Sequence, residues 1–281
     1  MRHSMTLRVG PVGFRIGSDW RAPIAAVADL YQDYPCAEFA DYTVRLEAEH
    51  VWRRWIRPSI RISGDYRLPE AAPLPLWQGL LAAELGMNLQ MALGHRRHLL
   101  LHAAVVERDG RAVIMSGISG AGKSTLALLL AQRGWRFLSD EFALIEPASG
   151  MVVPFPRPVS LKNESLSSIS MGSRVGPLLT GTPKGDIRHV APDPAALAAM
   201  DRPAKPALLL FPRFGFPEAT RVLPPAESFV RLTQASTNYV ALGEAGFHAL
   251  TRLRATIPAI AFDYPDGPAG VAAVEKLWAA L

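Results

Sequence analysis

The sequence predicts an α/β protein with a mixed sheet and a small β-rich lobe near its N-terminal end. Strand-like and helix-like segments alternate over most of the 281 residues, which favours a core shared by both kinds of element. A glycine-rich loop at 117–124 lies between an apolar strand-like run and a helix-like run. Hydrophobic residues make up 49% of the chain, which is enough for one large domain or two unequal ones.

The β-rich lobe is predicted over residues 1–70. Its strand-like runs have period-two patterning or β-branched residues, and they are TLRVG, FRIGS, YTVRLEAE and SIRISGDY. A proline-rich connector follows at 67–75, and the next segment, LWQGLLAAELGMNLQMALG, has apolar residues at helical spacing. We therefore place a domain boundary near residue 70, with residues 71–281 forming the main domain.

A β-hairpin is predicted where two apolar runs meet at Asp109-Gly110, because this dipeptide accepts the positive φ angles of a type I′ turn. If these are the turn residues, Arg108 faces Arg111 and the register counts back from there. His102 would then lie opposite Gly117, beside the start of the glycine-rich loop.

The glycine-rich loop matches the Walker A pattern in full. Its backbone N–H groups turn inward around phosphate oxygens, Lys123 supplies a cation to the β and γ phosphates, and the Ser124 hydroxyl ligates Mg²⁺. The helix that follows points its positive end at the same anion. The residues predicted to contact the nucleotide are Gly117, Ser119, Gly120, Ala121, Gly122, Lys123, Ser124 and Thr125.

An acidic pair, Asp140-Glu141, closes the strand-like run WRFLSDE directly after the predicted loop helix. A right-handed crossover makes that strand parallel to the strand before the loop, so both acids emerge at the edge where ligands of α/β sheets bind. His102 and Asp140 are thereby predicted to meet at one loop. An imidazole next to a carboxylate at a phosphate site is a candidate acid–base element.

Further elements are predicted from shorter patterns downstream of the acidic pair. FALIE and MVVPF flank a turn, and a polar stretch, RPVSLKNESLSSISMGSRVG, follows them. The remaining predictions are a strand at ALLLF, helices at AESFVRLTQAS and EAGFHALTRLRA, a strand at AIAFDY and a helix at AGVAAVEKLWAAL.

Composition argues against several classes of protein. The single cysteine, Cys36, excludes an internal disulfide, and the net charge of +5 comes from scattered basic residues, so no nucleic-acid partner is expected. No apolar run reaches about 18 residues, and the segment MRHSMTLRVGPVG has no apolar stretch behind its arginine. We expect neither a membrane anchor nor a secretory signal, and therefore a cytoplasmic protein.

The segment LLLHAAVVERDGRAVIMSGISGAGKSTLALLLAQRGWRFLSDEFALI resembles the catalytic domain of the HPr kinase/phosphorylase family, and more closely its stand-alone kinase relatives. The family has a His-containing strand, a hairpin, a phosphate loop and an acidic pair in the same order and spacing. The resemblance extends over residues 99 to about 190. It implies a P-loop kinase domain of the HPr kinase or phosphoenolpyruvate-carboxykinase type.

The resemblance also implies residue roles. Asp140 would take the proton from a substrate hydroxyl, with His102 as its neighbour, and Glu141 would stand where HPr kinases have a second Asp. Lys123 and Ser124 would hold ATP and Mg²⁺. The candidate metal ligands are Ser124, Asp140 and Glu164. Lys162 is a candidate phosphate contact, and Lys184 and Arg188 are weaker candidates for contacts to the γ-phosphate.

The expected function is phosphorylation of a Ser or Thr hydroxyl on a small protein or peptide. The β-rich lobe or the loop in the 170s would present the acceptor, and homo-oligomerisation stays open. Two alternatives also stay open: a nucleotide-dependent switch without phosphotransfer, and a small-molecule kinase or carboxykinase-like enzyme. The glycine-arginine-asparagine signature of true HPr kinases is missing, so HPr itself is not the expected partner.

Overall fold

The computed structural model describes residues 1–170, 172–182 and 184–281, and every element below lies in these ranges. Met171 belongs to the predicted polar stretch and Pro183 directly precedes Lys184, and both lie outside the described residues. The predicted α/β class is confirmed, since sheets with parallel and antiparallel pairs carry helices on their faces. Within these ranges, no helix is long and apolar enough to cross a membrane.

The N-terminal part is a sheet whose strands pair in chain order, β1 to β5. The strands are β1 (His3–Val9), β2 (Val12–Ser18), β3 (Tyr42–Ala48), β4 (Ser59–Gly64) and β5 (Leu74–Pro75). β2 and β3 are parallel, and the other neighbours are antiparallel. Two helices pack against it: α1 (Arg21–Leu30), which the sequence analysis missed, and α2 (Gly79–Gly94).

Helix α2 joins the N-terminal sheet to the rest of the molecule. Its buried side chains share a core with β3 and β4, and Gly86 allows close approach, because a Cβ there would lie 2.4 Å from Val44 Cγ1. On its other side, Leu81 packs against Leu179 and Ile187. The division near residue 70 stays a prediction, because α2 contacts both parts of the chain.

The remaining elements follow in chain order. The strands are β6 (Leu99–Leu101), β7 (Ala103–Arg108), β8 (Arg111–Ser116), β9 (Arg136–Ser139), β10 (Ala143–Ile145), β11 (Val152–Val153), β12 (Val159–Lys162), β13 (Leu179–Thr182), β14 (Gly185–Val190), β15 (Lys205–Phe214), β16 (Ala219–Val222) and β17 (Ala259–Tyr264). The helices are α3 (Lys123–Ala131), α4 (Pro194–Ala198), α5 (Pro225–Ala235), α6 (Tyr239–Leu242), α7 (Glu244–Thr256) and α8 (Gly267–Ala279). Short 3₁₀ helices lie at Val51–Arg54, Leu76–Gln78 and Asn163–Ser168.

The central sheet has the strand order β16-β17-β15-β8-β7-β9. β15 is parallel to both β8 and β17, while β7 is antiparallel to both β8 and β9. β8 and β9 therefore run in the same direction with β7 between them, which agrees with the predicted crossover. Their carboxyl ends lie at one edge of the sheet.

The hairpin forms with the predicted turn, since Arg108 pairs with Arg111 and both Asp109 and Gly110 have positive φ. The predicted pairing of His102 with Gly117 is wrong, because the ladder ends at Ala103 and Ser116. Gly117 turns into the loop instead, and the His102 N–H donates to Ala235 O at 2.8 Å.

Two small sheets cover the edge near the loop. β10 pairs with β11 and β6, which confirms the predicted hairpin between FALIE and MVVPF. β14 pairs with β12 and β13. This second sheet and the segments next to it place Ser160, Lys162, Asn163, Glu164 and Lys184 around the cavity that also contains the acidic pair after β9.

Candidate nucleotide site

The phosphate loop leaves β8 at Ser116 and enters α3 at Lys123. Gly120 and Gly122 both have φ of 86°, a backbone region that favours glycine. At Gly122 space is limiting as well, because a Cβ would lie 2.1 Å from the Tyr264 hydroxyl. Helix α3 has no side-chain cap at its start, so the N–H groups of its first turn remain available to an anion.

Lys123 lies inside the loop. Its Nζ donates hydrogen bonds to Gly117 O at 2.8 Å and Ile118 O at 2.9 Å. Burial lowers the pKa of this amine, while the nearby carboxylates of Asp140 and Glu141 oppose the shift. The ammonium group of Lys123 is therefore bound by carbonyl groups of the loop itself. From this position it can contact an anion that the loop would enclose.

Asp140 is a buried carboxylate at the end of β9, with 3% of its surface exposed. Its Oδ2 accepts a hydrogen bond from the Ser160 N–H at 3.3 Å, whereas its Oδ1 has no partner among the described residues. Burial, reinforced by the charge of Glu141, raises its pKa from 3.8 to about 6, and Ser124 and Ser160 oppose that shift. A carboxylate in this state accepts a proton more readily than an exposed Asp.

His102 lies against Glu141. Its Nδ1 is 3.2 Å from the Glu141 carbonyl oxygen and 3.7 Å from Glu141 Oε2. Because a carbonyl can only accept, Nδ1 carries the proton in that hydrogen bond. Burial lowers the pKa of His102 and the charge of Glu141 opposes the shift, so the imidazole is neutral near pH 7.

A cavity of about 850 Å³, here called the loop cavity, opens above the loop at the carboxyl edge of the sheet. It brings together most of the predicted site residues: His102, residues 119–125, Asp140, Glu141, Lys162, Glu164 and Lys184. Arg188 lies elsewhere, because its Nε donates to Gly176 O at 3.0 Å. Gly117 contributes its carbonyl to Lys123 without lining the loop cavity.

Lys162 reaches the loop cavity from the end of β12, Glu164 from the 3₁₀ helix that follows it, and Lys184 from the turn before β14. Asn163 sits between the first two with φ of 50°, and its Oδ1 accepts from the Asp186 N–H at 3.0 Å. That hydrogen bond ties the start of the 3₁₀ helix to β14. In the described part of the chain, no group of three or more His, Cys, Asp and Glu residues is close enough to hold a metal ion by itself.

Other lining residues were missed from the sequence. Phe214, Tyr264 and Asp266 lie at the carboxyl ends of β15 and β17, and Tyr264 OH donates to Ala121 O at 3.4 Å. Ser160 was also missed, although its N–H holds Asp140. The polar residues that end AIAFDYPDG could have indicated Tyr264 and Asp266, since they follow a strand parallel to β8 in the sheet, whereas no such signal pointed to Phe214.

A larger cavity of about 1240 Å³ lies on the outer side of the loop, between it and β15, β16 and α5. Neither Lys123, Ser124 nor Asp140 lines it. Its arginines are paired, for example Arg213 with Asp263 at 2.9 Å. The loop cavity is therefore the better candidate for a phosphate site, because it has the cation, the hydroxyl and the carboxylate.

The fold and this site define a P-loop α/β protein with an acidic residue at the end of the next parallel strand. The family model described as SynChlorMet cassette protein ScmC matches residues 83–174, which contain the loop, His102 and both acids. That match spans about a third of the chain.

Two curated relatives are HPr kinase/phosphorylases of Treponema pallidum, one from strain Nichols and the other from a further strain of subspecies pallidum. Each is 34% identical over 84 residues, which is 29% of this chain and 26% of the relative. The chain thus matches about a quarter of the length of these relatives. The resemblance to the HPr kinase/phosphorylase family expected from the sequence is confirmed over this segment.

Among solved structures, the Hpr(Ser) kinase/phosphatase from Coxiella burnetii aligns with 65% of this chain and 99% of its own. The identity is 14% and the TM-score 0.28. The fold class follows from the strands and helices described above and not from this alignment.

Proposed function

We propose that this protein is an ATP- and Mg²⁺-dependent kinase that transfers the γ-phosphoryl group to a Ser or Thr hydroxyl of a small protein or peptide. The observation that carries the proposal is Asp140, a buried carboxylate with a raised pKa in the cavity that also contains Lys123 and Ser124. Its Oδ1 has no hydrogen-bond partner within residues 1–170, 172–182 and 184–281. The names of the curated relatives support the same class of reaction.

The loop would bind the nucleotide in two ways. Lys123 exchanges its two carbonyl contacts for the β and γ phosphate oxygens, and the free N–H groups at the start of α3 donate to the same phosphates. These contacts align the γ-phosphorus and stabilise the charge that develops on its oxygens, which is most of what phosphoryl transfer requires of a protein.

The residues present fit a magnesium ion. Ser124 offers a hydroxyl and Glu164 a carboxylate in the same cavity, and the Asp140 carboxylate would add negative charge nearby while its Oδ1 serves as the base. Such hard oxygen ligands are those that Mg²⁺ prefers, with waters and phosphate oxygens completing its shell. When bound, the ion would neutralise charge on the transferred phosphate.

Asp140 would act as the general base. The acceptor hydroxyl oxygen bonds to the γ-phosphorus, its proton passes to Asp140, and the bond from the γ-phosphorus to the bridging oxygen breaks to release ADP. At pH 7 a carboxyl with a pKa of about 6 is largely ionised and still has appreciable proton affinity. His102, neutral and held by Glu141, would keep the second carboxylate in place.

The central test is Asp140→Asn. We expect this variant to bind ATP with little change while phosphate transfer falls by about 10²-fold or more, because it lacks a proton acceptor. Asp109→Asn makes the same chemical change in the exposed hairpin turn, where an Asn-Gly pair is equally suited, and should retain activity. Transfer is measured with γ-labelled ATP and Mg²⁺ in extract depleted of the native protein.

The labelled product separates the alternatives. A labelled polypeptide supports the proposal, and a labelled metabolite would indicate a small-molecule kinase instead. ATP binding with no labelled product of either kind would leave a nucleotide-dependent switch, and undiminished labelling by Asp140→Asn would remove the proposed base.

A further inference from the structure

A small pocket of about 120 Å³ lies beside the loop cavity, between helix α2 and strand β14. Leu81 and Leu85 line it from α2, while Ile187 and His189 line it from β14. We call it the side pocket. It has room for one side chain of medium size and is much smaller than the loop cavity.

The side pocket and the loop cavity share Glu141, Ser160, Lys162 and Lys184 as lining residues. Two of these are immediate neighbours of the proposed base, since Glu141 follows Asp140 in the chain and Ser160 N–H donates to Asp140 Oδ2. The side pocket thus lies next to the residues that flank Asp140, where the acceptor hydroxyl must bind.

Most of the surface exposed inside the side pocket is apolar, although the polar residues Asn88, Glu141, Lys162, Thr182 and Lys184 also line it. Leu74 and Pro158 complete the wall formed by the leucines and Ile187, and the buried charges of Glu84 and Arg157 are paired with each other. His189 is 2% exposed, and its Nδ1 has no hydrogen-bond partner among the described residues. An apolar occupant would be buried there, and a polar backbone group of that occupant could pair with the imidazole.

We propose that the side pocket binds the apolar side chain of the residue next to the phosphorylated Ser or Thr, and so selects the acceptor polypeptide. The inference rests on the proposed kinase function and adds to it a specificity determinant contributed by α2. A peptide places consecutive side chains on different sides of its backbone, so one can reach Asp140 while its neighbour enters an adjoining pocket.

The first test is Leu85→Trp in the full chain. Leu85 is 37% exposed, so a larger ring can extend into the side pocket without disturbing a core. The substrates are synthetic peptides with one Ser whose neighbours are Gly, Asp, Val, Leu or Phe. We expect the unaltered protein to phosphorylate the Val and Leu peptides with a kcat/KM about tenfold higher than that for the Gly and Asp peptides. Leu85→Trp should abolish most of that preference and leave the KM for ATP unchanged.

Leu93→Trp is the matched control. Leu93 lies on the same helix, is 38% exposed and lines none of the cavities described here. It makes the same substitution at the same exposure, so the peptide preference should remain that of the unaltered protein. Equal loss in both variants would trace the effect to helix α2 in general and would overturn the inference.

The second variant, Leu85→Ala, enlarges the side pocket. It should increase kcat/KM for the Phe-containing peptide about tenfold relative to the Val-containing one, and a gain of this kind cannot come from misfolding. A kinase whose neighbour preference is unaffected by both Leu85 variants would overturn the side-pocket inference alone. If none of the peptides is labelled while extract still yields a labelled polypeptide, the side-pocket inference is rejected and the proposed function stands. If neither the peptides nor any polypeptide of the extract is labelled while ATP still binds, both are rejected.

Discussion

At the scale of single residues, burial of the Asp140 carboxylate opposes its ionisation, whereas the proposed role as a base requires the ionised form. A carboxylate that is buried beside Glu141, with one oxygen that has no hydrogen-bond partner in the described part of the chain, costs folding free energy whenever it is ionised. Catalytic groups with perturbed pKa values are commonly kept at such a cost. The raised pKa of Asp140 is the measurable sign of it.

The pH dependence of stability tests this assignment. The folded-state pKa of about 6 exceeds the ordinary value of 3.8, so between these values the folded chain binds more protons and its stability falls as pH rises. Asp140→Asn removes this titration. The free energy of unfolding of the variant, measured relative to that of the unaltered protein, should therefore be higher at pH 8 than at pH 4 by on the order of 1–3 kcal/mol.

Urea unfolding of both proteins at the two pH values measures that difference. A gap between variant and unaltered protein that is the same at pH 4 and pH 8 would show that Asp140 does not titrate as a buried carboxyl.

At the scale of elements, the turn from β8 into α3 depends on glycine at two positions with different demands. Gly120 and Gly122 share a φ of 86°, but only Gly122 would also bring a Cβ against the Tyr264 hydroxyl. Around Gly120 nothing lies within 4 Å of that position. An alanine at Gly120 would therefore introduce backbone strain alone, whereas an alanine at Gly122 would introduce the same strain and a steric clash.

We expect Gly122→Ala to lose nucleotide binding and to destabilise the protein more than Gly120→Ala does. Positive φ costs each variant about 1 kcal/mol or more, and the contact with a buried tyrosine adds to it in the first alone. Adding Tyr264→Phe to Gly122→Ala removes the hydroxyl and should recover part of the loss. Thermal unfolding and binding of a fluorescent nucleotide are the measurements, and equal effects of the two alanines would contradict the geometry.

At the scale of the whole molecule, a buried ion pair connects the N-terminal sheet with the site. Glu84 on α2 pairs with Arg157, and Tyr31 OH donates to Glu84 Oε1 at 2.7 Å. Arg157 NH2 also donates to Glu84 O at 3.0 Å. Arg157 lies just before β12, the strand whose Ser160 N–H donates to Asp140. The Glu84–Arg157 pair therefore connects the strand next to Asp140 with α2 and, through Tyr31, with the end of α1.

Arg157→Met is predicted to destabilise the protein by about 3–5 kcal/mol, since it leaves the Glu84 carboxylate buried without its counter-charge. Adding Glu84→Gln should restore much of that stability, because the uncompensated charge is gone. Urea unfolding of the single and double variants forms the test. A double variant as unstable as the single one would show that packing, and not charge, accounts for the loss.

Much of the site follows from patterns that act over a few residues. The hairpin turn at Asp109-Gly110, the strand–loop–helix arrangement around residues 117–124 and the direction of β9 were all predicted correctly, because turn chemistry and crossover handedness are local rules. Binding of phosphate by that loop stays a prediction. The position of His102 was predicted less well: counting the register gave the right neighbourhood, but its observed contact is Glu141 and not Asp140.

The sequence by itself determined the phosphate loop, the acidic pair behind it and the α/β class, since each has a signature in consecutive residues. Only the tertiary structure decided that Ser160 holds Asp140, that Tyr264 packs on the loop and that α2 forms a wall of the side pocket. The first two of these contacts join residues 20 and 143 positions apart. Packing and burial select such pairs over the whole chain, and no local pattern records them.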